Sequence, residues 1–263
     1  PTAEALAAAL RAFEADPQAR VAVLARRRAD ADAVAAGLAD ALALECEAAG
    51  LNAPGISNSD GASFSSGRST AVYANSHGFF GAERSTNYSL SCSLIAGKDD
   101  GMQRDDWYSS SRMAQDLAKP ADIGRYAAQR ALSRLNAKSL STRRCPVIFE
   151  APLAAGLLGT LVQAVSGGAL YRRSSFLLDS LGKPVLPSHV DLIENPHLKG
   201  LTGSSPFDEE GVKTRARSVV SKGVLEGYFL SSYSARKLGM KTTGNAAKLR
   251  CGWVPTRGWT AQA

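Results

Sequence analysis

Tyr88-Ser89-Leu90-Ser91-Cys92-Ser93-Leu94 alternates apolar and small polar side chains over seven residues. A period of two is the repeat of a β-strand. One face of this segment therefore carries Leu90, Cys92 and Leu94 into a core, and the other carries the serines. Phe64 to Tyr73 is the expected partner strand, with Ser66-Gly67 letting its chain turn, and Asn75 to Phe80 leads into the strand that holds the quoted stretch. Upstream, Asn52, Pro54-Gly55, Asn58 and Asp60-Gly61 mark a turn region over 52–61. Residues 1–50 are rich in Ala, Leu, Arg and Glu and read as helical. Downstream, Asp99 to Asp106 reads as an acidic loop. From Pro120 the period changes: Ile123, Ala127, Ala131 and Leu135 recur every four residues, with Arg125, Arg130 and Arg134 off that stripe. This is the pattern of an amphipathic helix with proline in its first turn.

The polar, basic stretch Lys138 to Arg144 separates this half from the next. Beyond it, Val147-Ile148-Phe149 reads as a short buried strand. Pro152 opens a helix with Leu153, Leu157, Leu161 and Val165 on one face, and Gly167-Gly168 stops it. Residues 181–211 are loop-rich, because Pro184, Pro187, Pro196 and Pro206 remove backbone donors. Ser218 to Leu230 reads as a hairpin turning at Lys222-Gly223 or Glu226-Gly227. The fold class expected from this order is α+β.

Composition narrows the function classes. The 263 residues are 44% hydrophobic and 21% charged, which suits a packed soluble protein. The most apolar stretch, Ala151 to Val165, is interrupted by Gly156, Gly159 and Gln163 and is too short to span a bilayer. Pro1 to Leu10 lacks the basic start and apolar run of a signal peptide. The chain opens on Pro1 rather than Met, so a fragment is expected. Cys46, Cys92, Cys145 and Cys251 form no CxxC pair and read as reduced thiols, which makes the expected compartment cytoplasmic. Cys92 reads as core. Cys145, although beside Arg143-Arg144, also reads as a packing residue. The net charge of +7 sits in pairs and triplets such as Arg26-Arg27-Arg28 and Arg172-Arg173 without interleaved aromatics. That favours a solvated surface over a nucleic-acid platform.

Generic catalytic motifs are scarce. The histidines are His77, His189 and His197, and no HExxH pairing exists. His189 and His197, with Asp191 and Glu194 between them, could hold a metal, but two surface histidines on a loop fit better. Ser234-Ala-Arg-Lys237 matches SxxK, and Lys241-Thr242-Thr243-Gly244 resembles the KTG element of penicillin-recognising enzymes. A stand-alone serine hydrolase using Ser234 and Lys237 is therefore one alternative, although the spacing is wrong and the element between is missing, and a basic nucleic-acid-binding protein is the other. Asp208-Glu209-Glu210 reads as a solvated turn.

Longer strings say more. They are Ser166-Gly167-Gly168-Ala169-Leu170-Tyr171-Arg172-Arg173-Ser174-Ser175-Phe176-Leu177-Leu178-Asp179, Pro206-Phe207-Asp208-Glu209-Glu210-Gly211-Val212, Ser231-Ser232-Tyr233-Ser234-Ala235-Arg236-Lys237-Leu238-Gly239-Met240 and Thr242-Thr243-Gly244-Asn245. With Asn58 to Ser63 and Tyr73 to Phe79, they resemble the PmbA (TldE) branch of the TldD/PmbA family, once called modulators of DNA gyrase. The resemblance runs over about 41–246. It implies a mixed α/β middle domain over 1–140, with 1–40 poorly matched. A truncated start of a mainly β C-terminal domain follows over 145–263, with 248–263 poorly matched. Reading-frame shifts are expected near both ends.

The resemblance also implies a cytoplasmic heterodimer with a TldD-type subunit, acting in proteolysis of unfolded or extended peptides. The TldD-type subunit carries zinc on a His-Glu-x-x-x-His helix. Here Val162, Gln163 and Gly167 stand at those positions, so no catalytic residue and no cofactor is expected in this chain, and zinc belongs to the partner. An aliphatic side chain and a glycine cannot ligate zinc, and an amide cannot act as a base. Ser166, Gly167, Gly168, Ser231, Ser232, Tyr233, Thr242, Thr243, Gly244 and Asn245 are the candidate peptide groove. Neither a membrane nor nucleic acid is an expected partner.

Overall fold

Pairing between distant segments, more than local propensity, decides where the strands of this chain run. The computed structural model describes residues 23–29 and 33–246. The helical reading of 1–50 holds only in part. Val23–Ala29 is a strand, β1, and Ala33–Leu51 is the helix α1. The rest of that reading, at 1–22 and 30–32, lies outside the described residues, as do Cys251 and the expected frame shifts. Among the described residues the chain divides into two units. The first takes in 25–71 and 84–145, and the second takes in 72–83 and residues from Pro146 onward.

The first unit holds a sheet with helices on it, and the strand ends at 72–74 and 80–83 fall in the second. Its strands are β1, β2 (Ile56–Ala74), β3 (Phe80–Ala96) and β4 (Gln103–Ser111), hydrogen-bonded in the order β1-β2-β3-β4. The quoted alternation is found as expected: Leu90, Cys92, Leu94 and Ala96 are at most 1% exposed. Two expectations give way. β2 begins at Ile56, so Asn58 and Asp60-Gly61 lie inside the strand, and Ser66-Gly67 runs on without turning. Such residues permit a turn but do not force one where a neighbouring strand offers a continuous ladder.

The acidic loop is the second correction. Only Asp99–Gly101 is a tight turn, and Asp105 and Asp106 belong to β4, antiparallel to β3 with Leu94 opposite Asp105 and Cys92 opposite Trp107. Asp105 is tolerated in a strand because Arg134 and Arg130 reach it at 3.1 and 3.4 Å. Both arginines belong to the segment that forms α2 (Pro120–Ser133) and its C-cap. Burial pushes the Asp105 carboxyl up, but the Asp106 N–H, donated at 2.8 Å, and the two guanidiniums outweigh it and hold the group below the usual carboxylate range. α2 buries Ile123, Ala127 and Ala131 as its period requires, while Leu135 falls past its end. α1 and α2 meet at backbone distance: a Cβ on Gly50 would lie 2.9 Å from the Gly124 carbonyl oxygen. Only glycine allows that approach.

The second unit has less regular structure. It holds α3 (Ala151–Ala164), α4 (Gly167–Tyr171), a small antiparallel sheet of β5 (Leu192–Glu194), β6 (Arg217–Ser221) and β7 (Val224–Leu225), and α5 (Ser232–Lys237). The β6–β7 turn uses the first of the two expected pairs, Lys222-Gly223, both at positive φ (46° and 80°). This is the conformation a two-residue hairpin demands. Val162, Val165, Leu170, Val219, Val220, Leu225, Phe229 and Leu230 form the core.

The expected buried strand at Val147-Ile148-Phe149 does not form. No described strand pairs with it, and Ile148 is 97% exposed. Leu153 and Leu157 are exposed as well, so α3 docks only through its last turn, Leu161 to Val165. Gly167-Gly168 ends α3 and also opens α4. Cys145 is exposed rather than packed. No described helix is long and apolar enough to cross a membrane.

Candidate functional site

The last turn of α3 is fixed by a short length of chain from elsewhere in the second unit. Val165 caps the helix with its N–H on Leu161 O. Its carbonyl accepts from Phe229 N at 3.0 Å, and Gly167 N donates to Phe229 O at 2.7 Å. Ser166 and Phe229 therefore form a parallel β-bridge. Val162 is buried among core residues, Gln163 is exposed, and Gly167 is buried.

Gly167 is pressed against α5. A Cβ there would lie 2.5 Å from Ser234 Cβ and 3.0 Å from Leu230 Cδ2, and it would overlap Ser234 Oγ. Ser234 in turn completes a capping box. Its N–H donates to Ser231 Oγ at 3.2 Å, and its Oγ accepts from Ser231 N at 3.0 Å. At 4% exposure this hydroxyl is a helix cap. Lys237 Nζ lies 5.7 Å from the Tyr233 ring centroid. The SxxK string is thus explained by α5 itself, with a buried cap at one end and a cation over an aromatic face at the other.

The 242–245 string returns to the same place. Leu230 N donates to Thr243 Oγ1 at 2.7 Å, and Leu230 O accepts from Thr243 N at 3.0 Å and from Thr242 Oγ1 at 3.1 Å. Thr243 Oγ1 donates to Asn245 Oδ1 at 2.6 Å, and Asn245 Nδ2 donates to Glu194. Gly244, at φ +75°, passes Lys213 O so closely that a Cβ would lie 2.9 Å from it. Most of these polar groups are satisfied internally. The outward-facing member is Tyr233, 48% exposed and edge-on to Tyr171 at 5.6 Å. The structure brings the candidate groove residues together around Phe229, Leu230 and Ser231.

Sequence reading missed two partners. Arg217 Nε donates to Glu194 Oε2 at 2.6 Å, and its guanidinium lies 4.9 Å from the Phe229 ring centroid. Opposite charges at one end of two apolar segments, Leu192-Ile193-Glu194 and Arg217-Ser218-Val219, are the signal that could have paired them. Asp208 also differs from the solvated turn expected of it. It is 4% exposed, and its carboxylate accepts from Glu210 N, Val212 N and Ala246 N, each at 2.9 Å. Backbone donors make burial of that charge acceptable.

Zinc does not fit these residues. Position 162 offers an aliphatic group facing the core, and position 167 has no room for any side chain. No group of three or more His, Cys, Asp or Glu side chains converges among the described residues. The His189–His197 loop forms no such group either. Asp191 accepts from Lys222 N, Glu194 is paired with Arg217, and His197 Nε2 meets Thr214 Oγ1 at 3.1 Å.

Comparison with known proteins matches both halves. Residues 27–135 match the PmbA/TldA metallopeptidase central domain, and residues 142–261 match the PmbA/TldA metallopeptidase C-terminal domain. The chain is 48% identical over 206 residues to the metalloprotease PmbA homolog of Haemophilus influenzae, covering 78% of this chain and 46% of that protein. It is also 48% identical over 207 residues to the metalloprotease PmbA of Escherichia coli O157:H7, with the same coverage. A crystal structure from Bacteroides thetaiotaomicron, described as a modulator of DNA gyrase, superposes with a TM-score of 0.77 at 30% identity. That match covers 83% of this chain and 51% of the other. The chain thus spans about half the length of the curated relatives it matches.

Proposed function

We propose, from the premise that this chain belongs to the PmbA/TldD metallopeptidase family as a PmbA-type member, that it is a metal-free, non-catalytic subunit. It works beside a zinc-bearing TldD-type subunit in the cytoplasm, on unfolded or extended peptides. The observation that carries this reading is the packing at Gly167. The position where the partner type places a histidine is closed by Ser234 and Leu230. A single substitution to histidine would therefore not restore a ligand, because the cap of α5 occupies the space. Gln163 is exposed but has no basicity to offer a water molecule.

What remains for this chain is peptide binding. Extended peptides are commonly held through their backbones, with aromatic and small side chains setting the local fit. Tyr233 with Tyr171, beside Ser232 and the Ser166–Gly168 turn, offers such a surface. Glu194, Arg217 and Asn245, bonded to one another, anchor the 242–245 string to β5 and β6.

The test is co-purification with a TldD-type protein, with zinc counted per subunit and peptidase activity measured for each alone and both together. The expected result is no zinc in this chain, no activity from it alone, and altered peptide turnover in the mixture. Stoichiometric zinc in the isolated chain would overturn the reading.

A further inference from the structure

Cys46 and Cys92 take no part in the surface just described. They lie in the first unit, on α1 and β3, at 0% and 1% exposure. The way α1 lies along β3 brings them to one level. Gly50 sits against Leu94, since a Cβ on Gly50 would overlap Leu94 Cδ1. One helical turn from Gly50 to Cys46 covers about 6 Å at 1.5 Å per residue. The two strand residues from Leu94 to Cys92 cover about 6.6 Å. The advance along helix and strand is nearly equal, so Cys46 lies over Cys92 as Gly50 lies over Leu94. The two belong to one buried cluster, and their side chains are hydrogen-bonded. α1 cannot drift away easily, because a Cβ on Gly124 of α2 would already overlap the Cys46 carbonyl oxygen. The contact there is backbone against backbone.

The pair is also polarised. The hydrogen bond to Cys92, with burial, pushes the Cys46 thiol up, and the same bond pulls Cys92 down. Cys92 is therefore the sulfur better able to carry the negative charge.

We propose that Cys46 and Cys92 are a site of reversible disulfide formation in the folded chain, with a small hydroperoxide such as hydrogen peroxide as oxidant. In the first step the Cys92 thiolate attacks one peroxide oxygen. The O–O bond breaks, hydroxide leaves and takes up a proton as water, and Cys92 becomes a sulfenic acid. In the second step Cys46 loses its proton and attacks Cys92 Sγ. The S–O bond breaks, and hydroxide leaves as a second water. Each sulfur gives one electron, and the two peroxide oxygens are reduced. Both thiols already belong to one packed level, so closure to a sulfur–sulfur bond draws α1 slightly toward β3 without re-routing the chain.

The experiment treats the intact 263-residue chain, under native conditions, with graded hydrogen peroxide. Free thiols are then alkylated in denaturant, and peptides are mapped without reduction. The expected product is one peptide pair joined through Cys46 and Cys92, lighter by two hydrogens than the two reduced peptides. Dithiothreitol should reverse it, and Cys145→Ser should form it unchanged. In Cys46→Ser the second step is lost, and Cys92 should be trapped by dimedone. The proposal is overturned if the link forms only in urea or if Cys145 is the partner found. It also fails if both buried thiols stay reduced at a peroxide dose that oxidises the exposed Cys145 completely.

Discussion

Gly167→Ala adds one methyl group at the most crowded point of the second unit. Its Cβ would sit 2.5 Å from Ser234 Cβ, next to the backbone of α5, and 3.0 Å from Leu230 Cδ2, a methyl of a fully buried side chain. Overpacking of this kind costs about 1–3 kcal/mol. If Ser234 yields, the capping box of α5 is lost as well, at about 1 kcal/mol. Alanine in place of glycine returns about 0.5–1 kcal/mol of backbone entropy. With the cap lost, the net expectation is a loss of about 1–3.5 kcal/mol, or on the order of 1 M in a urea midpoint. Gly168→Ala is the internal control. Its Cβ would meet only the tip of Arg172, at 3.4 Å, so the midpoint should barely move. In a Ser234→Gly background the cost of Gly167→Ala should fall by at least about 1 kcal/mol, which a double-mutant cycle reads directly. Equal midpoints for the two alanine variants, or no coupling to position 234, would refute the reasoning and reopen position 167 to a side chain.

Asp105→Asn should destabilise the first unit by about 1.5–3 kcal/mol at neutral pH, since it removes charged hydrogen bonds to Arg130 and Arg134. The folded carboxyl titrates below its unfolded value, so this stabilisation is complete above the unfolded value near about 4 and fades as pH falls through the folded one. Denaturation of both proteins from pH 7 to 3 should show the gap closing at the acid end. Thr243→Val leaves the Leu230 N–H without the oxygen it meets at 2.7 Å and should cost about 1–3 kcal/mol in thermal or urea unfolding, with no change in secondary structure by circular dichroism. Lys222→Asn should stabilise by about 0.5 kcal/mol, because asparagine tolerates the left-handed conformation that Lys222 adopts at φ 46°.

These variants fall on features of unequal visibility in the sequence. The Tyr88–Leu94 alternation, the 120–133 helix and the Lys222-Gly223 turn could be read because each is encoded within one window of chain. β4 could not, because Asp105 suits a strand only once arginines twenty-five and twenty-nine positions later fold over it. Val147-Ile148-Phe149 misled in the opposite sense: its apolar side chains suit a buried strand, yet nothing among the described residues pairs with it. In the candidate site, Val162, Gln163 and Gly167 were singled out by the family resemblance, and their side-chain types then said only that they offer neither a zinc ligand nor a base. The crowding at Gly167 was not, because Ser234 lies sixty-seven positions away, and neither was the Glu194–Arg217 pair.

The stretch Phe229-Leu230-Ser231 gathers the α3–α4 junction, the cap of α5 and the 242–245 loop within three consecutive residues. Amide hydrogens at Gly167, Phe229, Leu230 and Thr243 share that one stretch, so none can meet solvent until it lets go. They should therefore exchange with deuterium as a single cooperative group, slower than the loop over 195–206. Strings scattered over eighty residues of sequence would then open and close as one element.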